Sequence, residues 1–193
     1  MQPRVILDSK KLNFTITRLC HQLIEQHKDF SKSAIIGVQP RGVMLADRVH
    51  KKLTEILKKK DISYGKLDIT FYRDDFRIKG KPIIADKTEI DFSLEGKNII
   101  LVDDVLYTGR TIRSALDAML DYGRPDDVEL LVLIDRRLHR HLPIQAKYVG
   151  KIVDSITAEK VKVEWKELDG ADKVWIIEDK DWVIADFWFM NGD

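Results

Sequence analysis

Cysteine is nearly absent. Cys20 is the single one in 193 residues, so no internal disulfide can form and the chain fits a reducing compartment. A charge imbalance is also missing. Lys and Arg total 33 against 32 Asp and Glu, which argues against nonspecific nucleic-acid binding as the main task and leaves room for a local basic face. No apolar run approaches the ~20 residues of a membrane-spanning helix. The opening Met1-Gln2-Pro3-Arg4 lacks the form of a signal peptide. These absences together predict a cytoplasmic protein with no membrane partner. Repeats and low-complexity segments are missing too. No tryptophan occurs before Trp165, and all four (Trp165, Trp175, Trp182, Trp188) fall in the last part of the chain.

What is present is an ordinary globular composition, 44% hydrophobic and 34% charged, long enough for one domain with a sizeable core. Strand-like and helix-like segments alternate as in a doubly wound α/β domain. Asp8 or Ser9 can cap a helix running to about His27, whose apolar stripe Leu12, Ile16, Leu19, Leu23, Ile24 takes in Cys20 as a core thiol. The pattern predicts a buried strand over 34–38, a helix over about 43–60, and a half-exposed strand in which Leu67, Ile69 and Phe71 alternate with polar residues. Residues 73–82 read as a charged, mobile loop. A central strand is expected over 99–102, a helix over 109–122 stopped by Gly123 and Pro125, and a buried strand over 128–134. From about Lys151 the pattern changes to a small antiparallel element around Asp169-Gly170, placed to act as a hood over the carboxyl edge of the sheet. The expected organisation is one domain over 1–193, with a core to about 150 and a hood and apolar tail over about 151–193.

The most informative stretch runs Ile99-Ile100-Leu101-Val102-Asp103-Asp104-Val105-Leu106-Tyr107-Thr108-Gly109-Arg110-Thr111. An apolar strand ends in two carboxylates, and a Thr-Gly-Arg-Thr turn then opens an amphipathic helix. Backbone N–H groups at a helix start are unpaired and sit at the positive end of the dipole, so they suit a phosphate. Carboxylates beside an anion site would repel it unless they serve ribose hydroxyls or a divalent cation. The loop therefore reads as a site for a sugar phosphate with Mg²⁺. The plain alternative is a βα turn whose Asp pair faces solvent and whose Thr108 caps the helix; the coincidence of pair, turn, strand and helix favours the site.

This wording resembles the 5-phosphoribosyl-1-diphosphate (PRPP) motif of type I phosphoribosyltransferases, and Val102 to Thr111 resembles in particular the PyrR-like family of pyrimidine-operon attenuators and uracil phosphoribosyltransferases. The resemblance spans Val5 to Ile177 and is most specific over 99–136. It implies a type I phosphoribosyltransferase fold, with a mainly parallel central sheet flanked by helices and a small C-terminal hood. It also implies a cytoplasmic enzyme that is a homo-oligomer. PRPP would be bound by Arg41, Gly42, Asp103, Asp104, Tyr107, Thr108, Gly109, Arg110 and Thr111. Asp103 and Asp104 would act in catalysis and hold Mg²⁺, directly or through water.

Three further loops complete the implied site. Gly37-Val38-Gln39-Pro40-Arg41-Gly42 resembles the family's pyrophosphate loop, with Arg41 as a fork of donors; Pro40 stands where the family commonly has Thr. Asp68 to Asp75 resembles the start of the flexible catalytic loop, with Tyr72 and Arg73 closing over the diphosphate. Asp135 to Ile144 and Ala146 to Lys151 resemble the base end, assigned to Asp135, Arg136, Val149 and Lys151. Here Arg137 replaces a family Gly, one residue is added, and Ile152-Val153-Asp154-Ser155-Ile156 replaces a usual Asn-Ile-Pro-Thr-Ser. Purine-specific members usually carry Asp where this chain has Tyr107. A phenol with a reference pKa of about 10 cannot serve as an anionic base near neutrality, which favours a pyrimidine.

The implied activity is transfer of ribose 5-phosphate from PRPP to uracil. The alternative is a regulator that senses UMP and PRPP through the same pocket and binds pyrimidine leader RNA. Thr17 and Arg18 match the family's first helix, and Arg136, Arg137, Arg140 and Lys151 add basic charge; Gln145 stands where the family commonly has Arg.

Overall fold

The computed structural model describes residues 3–73, 87–154 and 159–178. Trp182, Trp188 and the rest of the apolar tail lie outside the described residues, as do Ser155, Ile156 and the loop from Asp74 to Ala85 and beyond to 86.

The central sheet has five parallel strands in the order β3-β2-β4-β5-β6. They are β2 (Ser33–Val38), β3 (Ser63–Leu67), β4 (Asn98–Leu106), β5 (Asp127–Arg136) and β6 (Tyr148–Val153). The alternation of strand side chains sorts two cores onto its two faces. Ile35, Ile100, Val102, Leu131 and Leu133 meet helices α1 (Ser9–His27) and α2 (Gly42–Leu57) through Leu12, Leu19, Leu23, Leu45, Val49 and Leu53. The intervening Ala34, Ile36, Ile99, Leu101, Leu130 and Val132 meet α3 (Arg110–Met119) through Ile112, Ala115, Ala118 and Met119. Helices cover both faces, which is why these strands read as continuous apolar runs. Each buried Leu or Ile is worth about 1.5–3 kcal/mol relative to exposure. Cys20 lies in the first core as expected, and burial pushes its thiol up to about 12.

Several boundaries differ from the sequence expectation. The half-exposed strand over 67–71 is not there: β3 ends at Leu67, and a 3₁₀ turn covers Thr70–Tyr72. The Asp68 carboxylate accepts from the Thr70 N–H at 3.0 Å and from its hydroxyl at 2.5 Å, a side-chain turn that ends the extended run. Helix α2 stops at Leu57 with Lys58 left-handed at φ 52, short of residue 60. The helix after the Thr-Gly-Arg-Thr turn is α only to Met119 and continues as 3₁₀ over Leu120–Tyr122. Strand β4 does not stop at Val102 but runs to Leu106, because β5 keeps pairing with it through Leu106↔Asp135.

The hood is a second, antiparallel sheet in the order β1-β8-β7. It joins β7 (Glu159–Glu164) and β8 (Lys173–Glu178), linked through the short helix α4 (Lys166–Asp169), to the N-terminal β1 (Arg4–Leu7). Gly170 turns the chain at φ 79. Trp165 anchors the hood: it is fully buried, and the Arg48 guanidinium of α2 lies 4.8 Å from its ring centroid. Arg48 in turn donates to Glu167 at 2.6 Å and Asp172 at 2.7 Å. No helix among the described residues is long and apolar enough to cross a membrane.

Candidate active site

The strand order reverses direction between β2 and β4, the place where open α/β sheets bind ligands. Strand β2 pairs with β4 only as far as Gly37↔Val102, whereas β4 continues four residues beyond, against β5. The loop from Gln39 to Gly42 fills the freed side. A Cβ on Gly42 would lie 2.6 Å from the Val102 carbonyl oxygen and 3.0 Å from Asp103 Cα. Glycine is thus required for α2 to start against the backbone of the acidic pair.

Asp103 is buried, at 6% exposure, and its Oδ1 accepts from the Asp104 N–H at 2.9 Å. Burial, reinforced by the charge of Asp104, pushes the Asp103 carboxyl well above the usual carboxylate range; the hydrogen bond from Asp104 and the charge of Arg73 oppose this without reversing it. Burial also lifts Asp104, to about 6, against the pull of Arg41. The two carboxylates therefore face different cations. Asp103 lines a cleft of about 240 Å³ together with Arg73, residues 105–112 and Ser114; Asp104 does not line it and has Arg41 as its charged neighbour.

Tyr107, Thr108, Gly109, Arg110 and Thr111 form the wall of that cleft. Gly109 stands at the start of α3 with φ 92 and has no side chain with which to cap the helix, which suits the N–H groups of its first turn to an anion. Thr108 Oγ1 accepts a long bond from the Arg110 N–H at 3.4 Å. Its carbonyl accepts from the His141 and Leu142 N–H groups at 3.0 and 3.2 Å, and Leu142 and Ile144 pack within 3.5 Å of where a Gly109 Cβ would sit. The segment after β5 thereby buttresses the turn from Thr108 to Thr111.

Arg41 donates to the Val163 carbonyl of the hood at 2.8 Å and lies 3.5 Å from Asp169; the preceding Gln39-Pro40 peptide is cis. Tyr72 and Arg73 follow the 3₁₀ turn, and Arg73 reaches the cleft. At the base end, Asp135 and Arg136 close β5 and are both buried. Arg136 donates to the Glu159 carbonyl at 2.7 Å. Arg140 donates to Asp135 at 2.5 Å and to the Tyr107 carbonyl. Val149 and Lys151 do not line this cleft: the Val149 carbonyl accepts from Arg18 at 3.0 Å, and Lys151 is exposed on β6, beside Arg4 and Ile6 of the hood edge. Sequence reasoning missed Ser114, one turn past Arg110 on the buried face of α3. Its only signal was a polar residue among the apolar positions of that helix.

The phosphoribosyl transferase domain family matches residues 5–167. A relative called bifunctional protein PyrR from Elusimicrobium minutum is 45% identical over 174 residues, covering 90% of this chain and 96% of its own. Another of the same name from Deinococcus radiodurans is 47% identical over 176 residues, covering 91% and 95%. Among solved structures, a hypoxanthine phosphoribosyltransferase from Staphylococcus aureus superposes with a TM-score of 0.66 at 21% identity, covering 92% of this chain and 93% of that one. At that identity the match speaks for the fold alone. On the sequence matches, which take in the acidic pair, the phosphate loop and nearly the whole chain, this protein belongs to the phosphoribosyl transferase domain family and, within it, to the PyrR group.

Proposed function

We propose that the protein transfers ribose 5-phosphate from PRPP to uracil, giving UMP and diphosphate. The observation that carries this is the buried Asp103 beside the glycine-led start of α3 in one cleft. The 5′-phosphate binds the backbone amides and hydroxyls of Thr108 to Thr111, with Arg110 adding charge, Tyr107 shaping the wall and Gly42 letting α2 start against Asp103. Asp103 and Asp104 hold the ribose hydroxyls. As the C1–O bond breaks, its electron pair leaves with diphosphate, C1 becomes cationic beside these carboxylates, and uracil N1 bonds to C1 and releases its proton. Arg41 and Arg73 meet the charge growing on the leaving group. Asp135, Arg136, Val149 and Lys151 form the base end, and Tyr72 closes the loop side.

The acidic pair fits Mg²⁺. Burial drives both carboxyls toward protonation, which a cation would offset, and Mg²⁺ typically takes one or two carboxylates with substrate oxygens and waters. When bound, Mg²⁺ neutralises phosphate charge. The test is a base screen with PRPP and Mg²⁺ that measures diphosphate release; no release with uracil refutes the reading.

A second reading, a regulator binding pyrimidine leader RNA, is favoured by the word bifunctional in the relatives' name and by exposed Arg137 and Lys151. Arg18, Arg136 and Arg140 are already engaged by carbonyls or carboxylates. Salt-dependent binding to that RNA, absent for unrelated RNA, tests it. The same reading takes the protein to be cytoplasmic, supported by its lone buried thiol, and a homo-oligomer. Exposed Phe71, Leu116 and Leu120 on and beside α3 support the latter, and sedimentation over a dilution series checks it.

A further inference from the structure

Ser114 is 2% exposed and its Oγ donates to the Tyr72 carbonyl at 3.0 Å. A serine inside a helix ordinarily turns its hydroxyl back to a carbonyl of its own helix; this one crosses to another element. The Tyr72 hydroxyl donates to Asp121, in the 3₁₀ turn that prolongs α3. The Thr70–Tyr72 turn is thus stapled to α3 at two points, seven residues and about 10 Å apart along a helix axis. The residue that follows is Arg73, which lines the same cleft as Ser114 and Asp103. We infer that Ser114 is a positioning residue: it ties the backbone that carries Arg73 to the helix whose first turn binds the phosphate, so that the two ends of PRPP are gripped by one rigid unit.

This rests on the proposed role of Arg73 at the leaving diphosphate. Charge there grows in the transition state, so a misplaced guanidinium lowers kcat more than it raises KM. A shift of about 1 Å can cost on the order of 10²-fold. Ser114→Ala is therefore expected to lower kcat about tenfold or more, with KM for PRPP changed less than kcat. Ser114→Thr, which keeps the hydroxyl, is expected to restore most of the loss.

The experiment is a double-mutant cycle of Ser114→Ala and Arg73→Ala, reading kcat and KM separately with PRPP, Mg²⁺ and uracil, alongside thermal melting. The inference expects the double variant to be no slower than Arg73→Ala, because Ser114 acts through Arg73. Losses that multiply overturn it, as does a wild-type kcat for Ser114→Ala beside a slow Arg73→Ala. An unimpaired Arg73→Ala overturns the assigned role of Arg73 instead, and the inference with it. If Ser114→Ala melts too low to assay, Tyr72→Phe removes the other staple at an exposed position, and the same cycle with Arg73→Ala is expected to be non-additive; additivity there overturns the inference.

Discussion

The Arg136 guanidinium lies 3.9 Å from the centroid of the Tyr107 ring. It is held there by its bond to the Glu159 carbonyl of the hood, so the hood, the end of β5 and the loop after β4 meet at one stacked pair. Such a stack contributes about 0.5–2 kcal/mol. On the proposed function, it fixes a phenol, not a carboxylate, where a purine's imidazole proton would need an acceptor. We expect uracil to be preferred over hypoxanthine and guanine by at least about tenfold in kcat/KM, equivalent to about 1.4 kcal/mol. Arg136→Leu should raise the KM for uracil. A base screen checks both, and efficient purine turnover would show that Tyr107 does not set the choice.

Asp104→Asn should lower turnover by about 10²-fold or more without loss of fold, because Asp104 is only partly buried and meets Arg41 rather than the apolar core. With its carboxyl at about 6, the free enzyme of the wild type should lose kcat/KM as pH falls below about 6, since the protonated form cannot engage a cation. Unchanged turnover at saturating PRPP, or a melted protein, counts against the assignment.

The acidic pair on its strand, the glycine turn into a helix and the parallel sheet were legible because each rests on local chemistry: glycine permits the positive φ of the turn, and β-strands buried on both faces need apolar runs. The reach of β4 to Leu106 was not, because Asp103 and Asp104 read as an end, and only pairing with β5 carries the strand past them. Strands β1 and β6 also escaped, since Val5-Ile6-Leu7 acquires its partner only from β8, over 160 residues away in sequence. Lys151 and Val149 carried no local signal and were assigned to the base end by resemblance; β6 sets Lys151 beside Arg4 and Ile6, and the Val149 carbonyl accepts from Arg18.

Gly42→Ala should cost about 1–3 kcal/mol of stability. Its new methyl meets backbone at Val102 and Asp103 rather than the end of a flexible chain, so β4 or α2 must move. Because the contact is at Asp103, PRPP affinity should fall with stability. Chemical denaturation and PRPP titration are the measurements, and an alanine variant with both values intact would mean that α2 can recede freely.

The opposite end of the sheet sets a stability response to acid. His27 Nδ1 lies 2.9 Å from Ser33 Oγ and Nε2 3.0 Å from Glu129, which also accepts from the Tyr148 hydroxyl at 2.6 Å and from Lys147. Burial holds His27 below its usual pKa despite the Glu129 charge. Burial alone would raise Glu129, but hydrogen bonds from Lys147 and Tyr148 and the nearby His27 outweigh it and hold it low. Both signs agree. The unfolded histidine takes up a proton below about pH 6.5 while the folded one resists, and the unfolded glutamate does the same from about pH 4.5 downward, so acid favours unfolding by up to about 1.4 kcal/mol per pH unit per proton. Asp103 and Asp104, raised in the fold, act in the opposite sense. The informative comparison is therefore wild type against His27→Gln, which share that pair. Between pH 7.5 and 5, the urea midpoint of the wild type should fall relative to that of the variant, and parallel pH profiles would show that His27 already titrates normally in the folded protein.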